Sequence, residues 1–393
     1  MKLVRTDSKY INLRLAKNLN RDILRGHPWV YRDALQSLPK SESGVLAKLF
    51  DKSNKFLAYG FYDPQCELCF RVCSLDEKQK LNNFWARNLL EQALRLRTGK
   101  TFRLFNGEGD GLPGLVCDVY NEYAVIQLDG YGPKGFWELE GLTSWLDEHL
   151  SLKGIVYKPR GDLKLKAQVL KGKEEDFISA EFLENNVKFQ ANLLEGQKTG
   201  FFLDQKDNRH FIQGVSKNLR VLNLFSYTGG FSVYAGIGGA KHVTSVDISR
   251  PATDQAITNW QINGLDNSSH IAVAENVFDF LDKAIQEKQK WDLVIVDPPS
   301  FAHAKSNFKE AVESYERIFT QSIKVCETGG LVALSSCSSH ITPEKFLDIS
   351  SQCFSKARKR AKVITVKGQS ADHPYPLACL EMQYLKFVLF QCF

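Results

Sequence analysis

Two short stretches carry residues able to do covalent chemistry. The first is "LSSCSSH", residues 334 to 340, where Cys337 stands among four serines directly after the apolar run "GGLVAL". A thiol in that position can be a small hydrophobe, a metal ligand or a nucleophile, and residue type alone leaves all three open. The second is "WDLVIVDPPS", a buried-strand pattern that ends in Asp297-Pro298-Pro299. Two prolines fix the backbone and remove amide donors, so the acid is held rigidly at the strand's end. In an open α/β sheet that end is the ligand-binding edge.

A third stretch, "VLNLFSYTGGFSVYAGIGGAKHVTSVDIS", reads as strand, small-residue loop, helix and second strand. Gly229 and Gly230 fall where the strand must turn into the helix, letting backbone approach a ligand closely. Asp247 ends the second strand, 18 residues after Gly229. At about that spacing an acid on a nucleotide-binding sheet meets ribose hydroxyls. Either feature alone is equally well a glycine loop or a surface aspartate.

These residues need a sheet to position them. From about residue 186, apolar strands alternate with helices: "RVLNLF", "HVTSVDIS", "WDLVIVDPP", "GGLVALSS" and "AKVITVKG". That alternation predicts a mostly parallel sheet covered on both faces. Upstream, residues 1–72 read as short strands of a small β-rich module, and residues 73–185 as an α+β segment around the glycine-rich turn "NGEGDGLPGLVCDVY". In "CELCFRVC", Cys66, Cys69 and Cys73 lie on an alternating strand pattern with no second Cys/His pair nearby. A tetrahedral site needs four ligands, so these are read as small hydrophobes and no metal is expected.

The chain has 393 residues, nine cysteines and a net charge of +6. Odd and unevenly spread cysteines do not form a disulfide framework, and neither a secretory signal nor a membrane-length apolar run is present in the sequence. The expectation is a reduced, cytoplasmic protein. Its charge is uneven: residues 1–32 carry eight Lys or Arg against two Asp, and residues 158–173 and 356–362 are also basic. Such patches suit a phosphate backbone as well as a solvated face, and three together favour nucleic acid.

The motifs "KTGFFLDQKDNR", "NLFSYTGGFSVYAGIGGAKHVTSVD", "DPPSFA", "SSCS" and "ADHP" followed by "YLKF" resemble, in this order, one bacterial family. That family comprises the class I S-adenosylmethionine methyltransferases that modify carbon 5 of a cytosine in large-subunit (23S) ribosomal RNA. "GHPWVY" is similar to its N-terminal PUA domain. The resemblance implies a PUA-like RNA-binding domain over 1–72, a middle domain over 73–185 and a Rossmann-like methyltransferase domain over 186–393 with a seven-stranded, mostly parallel sheet. It implies S-adenosyl-L-methionine as cofactor and ribosomal RNA as partner, and leaves a homodimer open.

By the same resemblance, Phe225, Ser226, Tyr227, Thr228, Gly229 and Gly230 wrap the cofactor, with Asp247 and Ile248 at its ribose. Asn276 and Val277 lie at the adenine, Asn276 standing where the family usually has an acid. Gln205 and Asp297 complete the cofactor set, and Phe202, Asp204, Gln205 and Arg209 form a segment closing over the site. Pro298, Pro299, Phe301, Asp372 and His373 line the base pocket, with Phe301 able to stack on the base.

Carbon 5 of cytosine is a poor nucleophile until a thiolate adds to carbon 6, and sulfur both attacks and departs well. Beside the Asp-Pro-Pro strand and a cofactor-like loop, Cys337 is therefore read as the nucleophile, with Asp297 holding N3 or the exocyclic amine. His340 is a helper for the thiol. For removal of the carbon-5 proton, His303, His340, His373 and Asp372 stay open. Other cytosine methyltransferases carry a second cysteine after the Pro of this motif, but Ser300 stands here. Alternatives are a related enzyme acting on guanine N7 or an exocyclic amine, an RNA-binding protein using the fold as a scaffold, and, more distantly, a nicotinamide enzyme.

Overall fold

The computed structural model describes all residues except 7–9, 161–165 and 302–307. The described chain divides into two compact units. The first comprises Met1–Leu183, Ala191–Leu203 and Ala371–Met382, and the second Glu184–Gln190, Asp204–Ser370 and Gln383–Phe393. The grouping differs from the three consecutive segments expected, because the chain twice returns to its first unit. Residues 1–72 and 73–183 both belong there.

The first unit holds two sheets. Strands β1 (Ile11–Arg14), β2 (Trp29–Tyr31), β3 (Val45–Phe50), β4 (Phe56–Tyr62) and β5 (Leu68–Ser74) lie in the order β1-β3-β4-β5-β2. Strands β6 (Thr101–Asn106), β7 (Leu115–Tyr120), β8 (Tyr123–Leu128), β9 (Gly154–Tyr157) and β10 (Gln168–Lys171) lie in the order β10-β9-β8-β7-β6. Asn82 caps the helix Asn83–Arg95 by accepting from the Trp85 amide, and that helix buries Trp85, Ala86, Leu90 and Ala93.

A buried ion-pair network ties the two sheets together. Arg71 of β5 reaches Glu108 in the glycine-rich turn and Asp129 at 2.8 Å, while Trp29 Nε1 donates to Glu108 at 2.9 Å. Thus "GHPWVY" and "NGEGDGLPG" meet through one carboxylate. Within the turn, Gly114 has φ +69°, and a Cβ there would lie 2.2 Å from Pro133. Cys69 of β5 is fully buried, and burial pushes its thiol up to about 12. The returning segments dock by specific bonds: Thr199 donates to Asp118, and Asn106 Nδ2 donates to the Pro374 carbonyl at 2.7 Å.

Strands β11 (Ala180–Glu184) and β12 (Val187–Ala191) form a hairpin where the chain passes to the second unit. The second unit is built on β13 (Arg220–Leu224), β14 (His242–Asp247), β15 (His270–Ala274), β16 (Trp291–Val296), β17 (Cys326–Ser336), β18 (Ala361–Lys367) and β19 (Lys386–Cys392). Their order is β15-β14-β13-β16-β17-β19-β18, with β19 antiparallel to both of its neighbours and the other pairs parallel. This is the seven-stranded, mostly parallel sheet expected.

Leu222 and Leu224 of β13 join one buried cluster with Val294 and Val296, and Val221 joins another with Leu293 and Ile295. The unbroken apolar strands thus bury both faces. Helix starts are marked by Ser249 before Pro251 and Thr342 before Pro343, each side chain accepting from a first-turn amide. The chain leaves β13 toward β14 on one side, while β16 flanks it on the other. The crevice beyond their carboxyl ends is a switch point.

Candidate active site

The loop leaving β13 is held in a costly shape. Phe225, Tyr227 and Gly229 all have positive φ, at 57°, 46° and 78°. For the two non-glycine residues this costs roughly 1–3 kcal/mol each and is kept only where surroundings enforce it. Asp247, at the end of β14, enforces it: Oδ2 accepts from the Tyr227 amide at 2.8 Å and Oδ1 from the Ser249 amide at 2.9 Å. Gly229 also has a packing task. A Cβ there would meet Ala256 Cβ at 2.7 Å, so the glycine lets the loop pack on the helix Arg250–Gln261. Gly230 opens the next helix and is buried.

Two hydroxyls in this loop, Ser226 Oγ and Thr228 Oγ1, are buried without a hydrogen-bond partner among the described residues. Buried hydroxyls of that kind are unusual and suit a polar ligand. Ile248, directly after Asp247, is 71% exposed and offers an apolar face. Asn276 caps the helix Val277–Gln286, its Oδ1 accepting from the Phe278 amide at 2.9 Å. The oxygen assigned to the adenine amine is therefore already engaged, with a second lone pair and the Nδ2 hydrogens remaining. Val277 is buried. The loop's polar orphans, the acid that ends β14 and the exposed isoleucine together fit a nucleoside cofactor with a polar tail.

Beside this loop, β16 and β17 run parallel with Val296 opposite Leu334, so Asp297 and Cys337 both follow the carboxyl ends of adjacent strands. Each is half-buried, Pro298 is buried and Pro299 is exposed. Gln205 clamps this edge. Its Nε2 donates to Asp297 Oδ1 at 2.9 Å and to Ser335 Oγ at 3.0 Å, and its Oε1 accepts from Asn208 at 2.6 Å. Gln205 is 3% exposed and both polar atoms of its side chain are engaged, so it holds Asp297 in place.

Behind the edge, Ser336 Oγ donates to Tyr315 OH at 2.9 Å, and Phe301 packs on the Tyr315 ring edge-on at 5.0 Å. Burial raises the Tyr315 phenol's pKa, and the negative ends of Cys337 and Asp297 both add to the rise. One phenol therefore senses both groups. Phe301 contributes partly to this packing, so its availability for a base is less than the sequence suggests.

In the segment 202–209, expected to close over the site, Phe202, Asp204, Gln205 and Arg209 each have a defined partner. Arg209 pairs with Glu184 through two bonds of 2.8 and 2.6 Å, both side chains buried. Asp204 accepts from Tyr384 OH at 2.6 Å and, through its carbonyl, from the Ser370 amide. Phe202 lies under the Lys198 ammonium at 4.5 Å. Asp372 and His373 are both buried in the first unit, where His373 Nδ1 lies 2.8 Å from Asp372 Oδ1 and Asp372 Oδ2 accepts from the Arg103 amide. His340 is half-buried three residues after Cys337, and His303 lies outside the described residues.

Sequence reasoning missed two features. His27, Cys379 and Glu381 in the first unit bring ligand-type atoms within 4.8 Å of one another. Burial and Glu381 push the Cys379 thiol up to about 12, so it is the protonated, hydrogen-bonding form at neutral pH. The other is Lys386 on β19, a buried lysine at the active edge. Its only sequence signal is a cation inside the apolar run "YLKFVLF". The basic stretches are partly consumed internally: Lys158 donates to the Gly196 carbonyl and burial pulls its amine down to about 8, Lys356 pairs with Glu316, and Lys359 holds the Cys326 carbonyl.

Residues 150–357 match the description "S-adenosylmethionine-dependent methyltransferase", and residues 13–75 match a PUA-like domain. The "Ribosomal RNA large subunit methyltransferase" of Deinococcus radiodurans is 34% identical over 97% of each chain. The chain belongs to this methyltransferase family. "Ribosomal RNA large subunit methyltransferase I" of Photobacterium profundum is likewise 34% identical, over 95% of this chain and 97% of that one. A SAM-dependent methyltransferase structure from Streptococcus mutans superposes with a TM-score of 0.84 at 23% identity, covering 97% of this chain and all of the other. A second, SMU.776, solved in complex with SAH, gives 0.86 at 23% identity with the same coverage. The class I fold, the PUA-like module and the use of S-adenosylmethionine follow. Among the described residues no helix is long and apolar enough to cross a membrane.

Proposed function

We propose that this protein forms 5-methylcytosine in large-subunit ribosomal RNA, with Cys337 as a transient covalent nucleophile and Asp297 as the group that orients the ring. The observation that carries this reading is a half-buried thiol at the end of β17, beside the strand that presents a clamped aspartate. Neither base-nitrogen methylation nor a scaffold role needs that thiol.

Ser226 and Thr228, Asp247, Ile248 and Asn276 would hold S-adenosylmethionine, which when bound supplies an electrophilic methyl group. The Cys337 thiolate adds to carbon 6, forming an S–C6 bond and moving the C5–C6 π pair onto carbon 5. Asp297, fixed by Gln205, hydrogen-bonds N3 or the exocyclic amine and favours the protonated ring that accepts attack. After substitution at carbon 5, loss of the carbon-5 proton returns its electron pair to the ring, the S–C6 bond breaks and the thiolate is restored. The base must leave its stack to reach the thiol. The PUA-like module supports the RNA reading, since the family's named relatives act on ribosomal RNA.

The test is nucleoside mapping by mass spectrometry of ribosomal RNA from cells with the protein, without it, and with Cys337→Ala in its place. One 5-methylcytosine present only with the parent chain is expected. An unchanged pattern, or full activity of Cys337→Ala, overturns the assignment.

A further inference from the structure

Lys386 stands within β19, opposite Ser336 in the antiparallel pairing of β17 with β19. Its Nζ donates to the Ser338 carbonyl at 2.5 Å and to the Tyr384 carbonyl at 2.7 Å. The side chain thus starts opposite the residue before Cys337 and ends on the residue after it. Only 4% of Lys386 is exposed, and its ammonium donates to two neutral carbonyls.

A buried ammonium with no carboxylate in salt-bridge range among the described residues is costly, and such lysines are kept where their charge or proton is used. The Tyr384 phenol donates to Asp204. Cys337, which follows the strand paired with β19, is the ionisable group that acts on Lys386. Burial pulls the amine down to about 8, and the Cys337 thiolate offsets part of that. Such coupling is reciprocal: an ammonium whose pKa a thiolate raises must favour that thiolate.

We propose that Lys386 is the positioning residue that makes Cys337 a nucleophile: its ammonium, fixed on two carbonyls, stabilises the thiolate at 337. The proposal deepens the cytosine reading and rests on it for its catalytic meaning, but the ion pair itself can be tested without RNA or methyl donor.

The experiment follows alkylation of Cys337 by iodoacetamide across pH 6 to 10, read by peptide mass spectrometry in the full chain. Lys386→Met is expected to slow alkylation about tenfold at pH 7, with the limiting rate at high pH retained, since only the thiolate fraction changes. An identical profile in a folded Lys386→Met chain overturns the proposal. Should that variant not fold, the reciprocal measurement serves: NMR of lysine labelled at Cε in Cys337→Ser, where the Lys386 inflection moves down. An inflection that stays in place overturns it.

For catalysis, Lys386→Met lowers kcat at pH 7 and recovers by pH 9 with KM for RNA unchanged, and a loss equal at every pH contradicts the role. A shifted alkylation profile beside full activity of Cys337→Ala separates a sound ion pair from a failed cytosine reading.

Discussion

Gln205→Leu removes a clamp of nearly unchanged volume and leaves the edge of β16 and β17 without its bridge. Three hydrogen bonds go: to Asp297 at 2.9 Å, to Ser335 at 3.0 Å and from Asn208 at 2.6 Å. The carboxylate bond contributes about 1.5–3 kcal/mol and each neutral one about 0.5–1.5 kcal/mol. Asn208 keeps a second acceptor, the Gly368 carbonyl at 3.1 Å, which limits the cost of its orphaned donor. The sum is a loss of roughly 3–5 kcal/mol in urea unfolding. Activity should fall further than stability explains. With Asp297 no longer fixed, kcat should drop about tenfold or more, as about 1.4 kcal/mol of lost orientation gives. Affinity for S-adenosylmethionine, measured by calorimetry, should stay within about twofold, because Gln205 is read as touching no cofactor. Gln205→Glu sharpens the contrast by keeping the shape but turning an acceptor toward Asp297. A Gln205→Leu chain that loses under about 0.5 kcal/mol and retains kcat would refute the clamp, and a selective loss of cofactor affinity would restore the original expectation.

Ser226→Ala with Thr228→Ala should weaken S-adenosylmethionine binding about tenfold or more while leaving the unliganded protein as stable or slightly more so, since buried orphan hydroxyls are removed. Gly229→Ala should destabilise by about 2 kcal/mol through left-handed strain and the Ala256 contact, and Ala256→Gly should restore only the steric share. In the first unit, Arg71→Met should cost about 3–5 kcal/mol by stranding Glu108, with Glu108→Gln recovering much of it in a double-mutant cycle. His270, half-buried, stacked on Trp260 and bonded to Ser245, is pulled down to about 4 by desolvation. Its stabilising effect is therefore complete above about pH 6.5 and is lost as pH falls toward 4, by up to about 3 kcal/mol, and His270→Gln should flatten that slope.

The sheet was legible because its strands are almost wholly apolar and its turns carry Gly, Pro and Asp at the carboxyl ends. Asp297 and Cys337 were legible for the same reason, each following such a strand. The returning segments were not. Residues 191–203 and 371–382 join the first unit through Thr199, Asp372 and the Pro374 carbonyl, long-range bonds that leave no local period. Nor were side-chain partners: nothing local in the sequence ties Gln205 to Asp297, Arg209 to Glu184 or Asp204 to Tyr384. The glycine motif marked the loop, but not that a Cβ at Gly229 would meet Ala256. Lys386 needed the antiparallel register of β19 with β17 before a cation could be seen near a thiol about fifty residues earlier in the chain.

Sulfur bonding to carbon 6 is tested most directly by RNA carrying 5-fluorocytidine, in which carbon 5 has no proton to lose and the adduct cannot resolve. Incubated with S-adenosylmethionine, the parent chain should form a denaturant-resistant complex whose only modified peptide contains Cys337. A complex formed equally by Cys337→Ala, or an adduct mapped to another cysteine, would contradict the account.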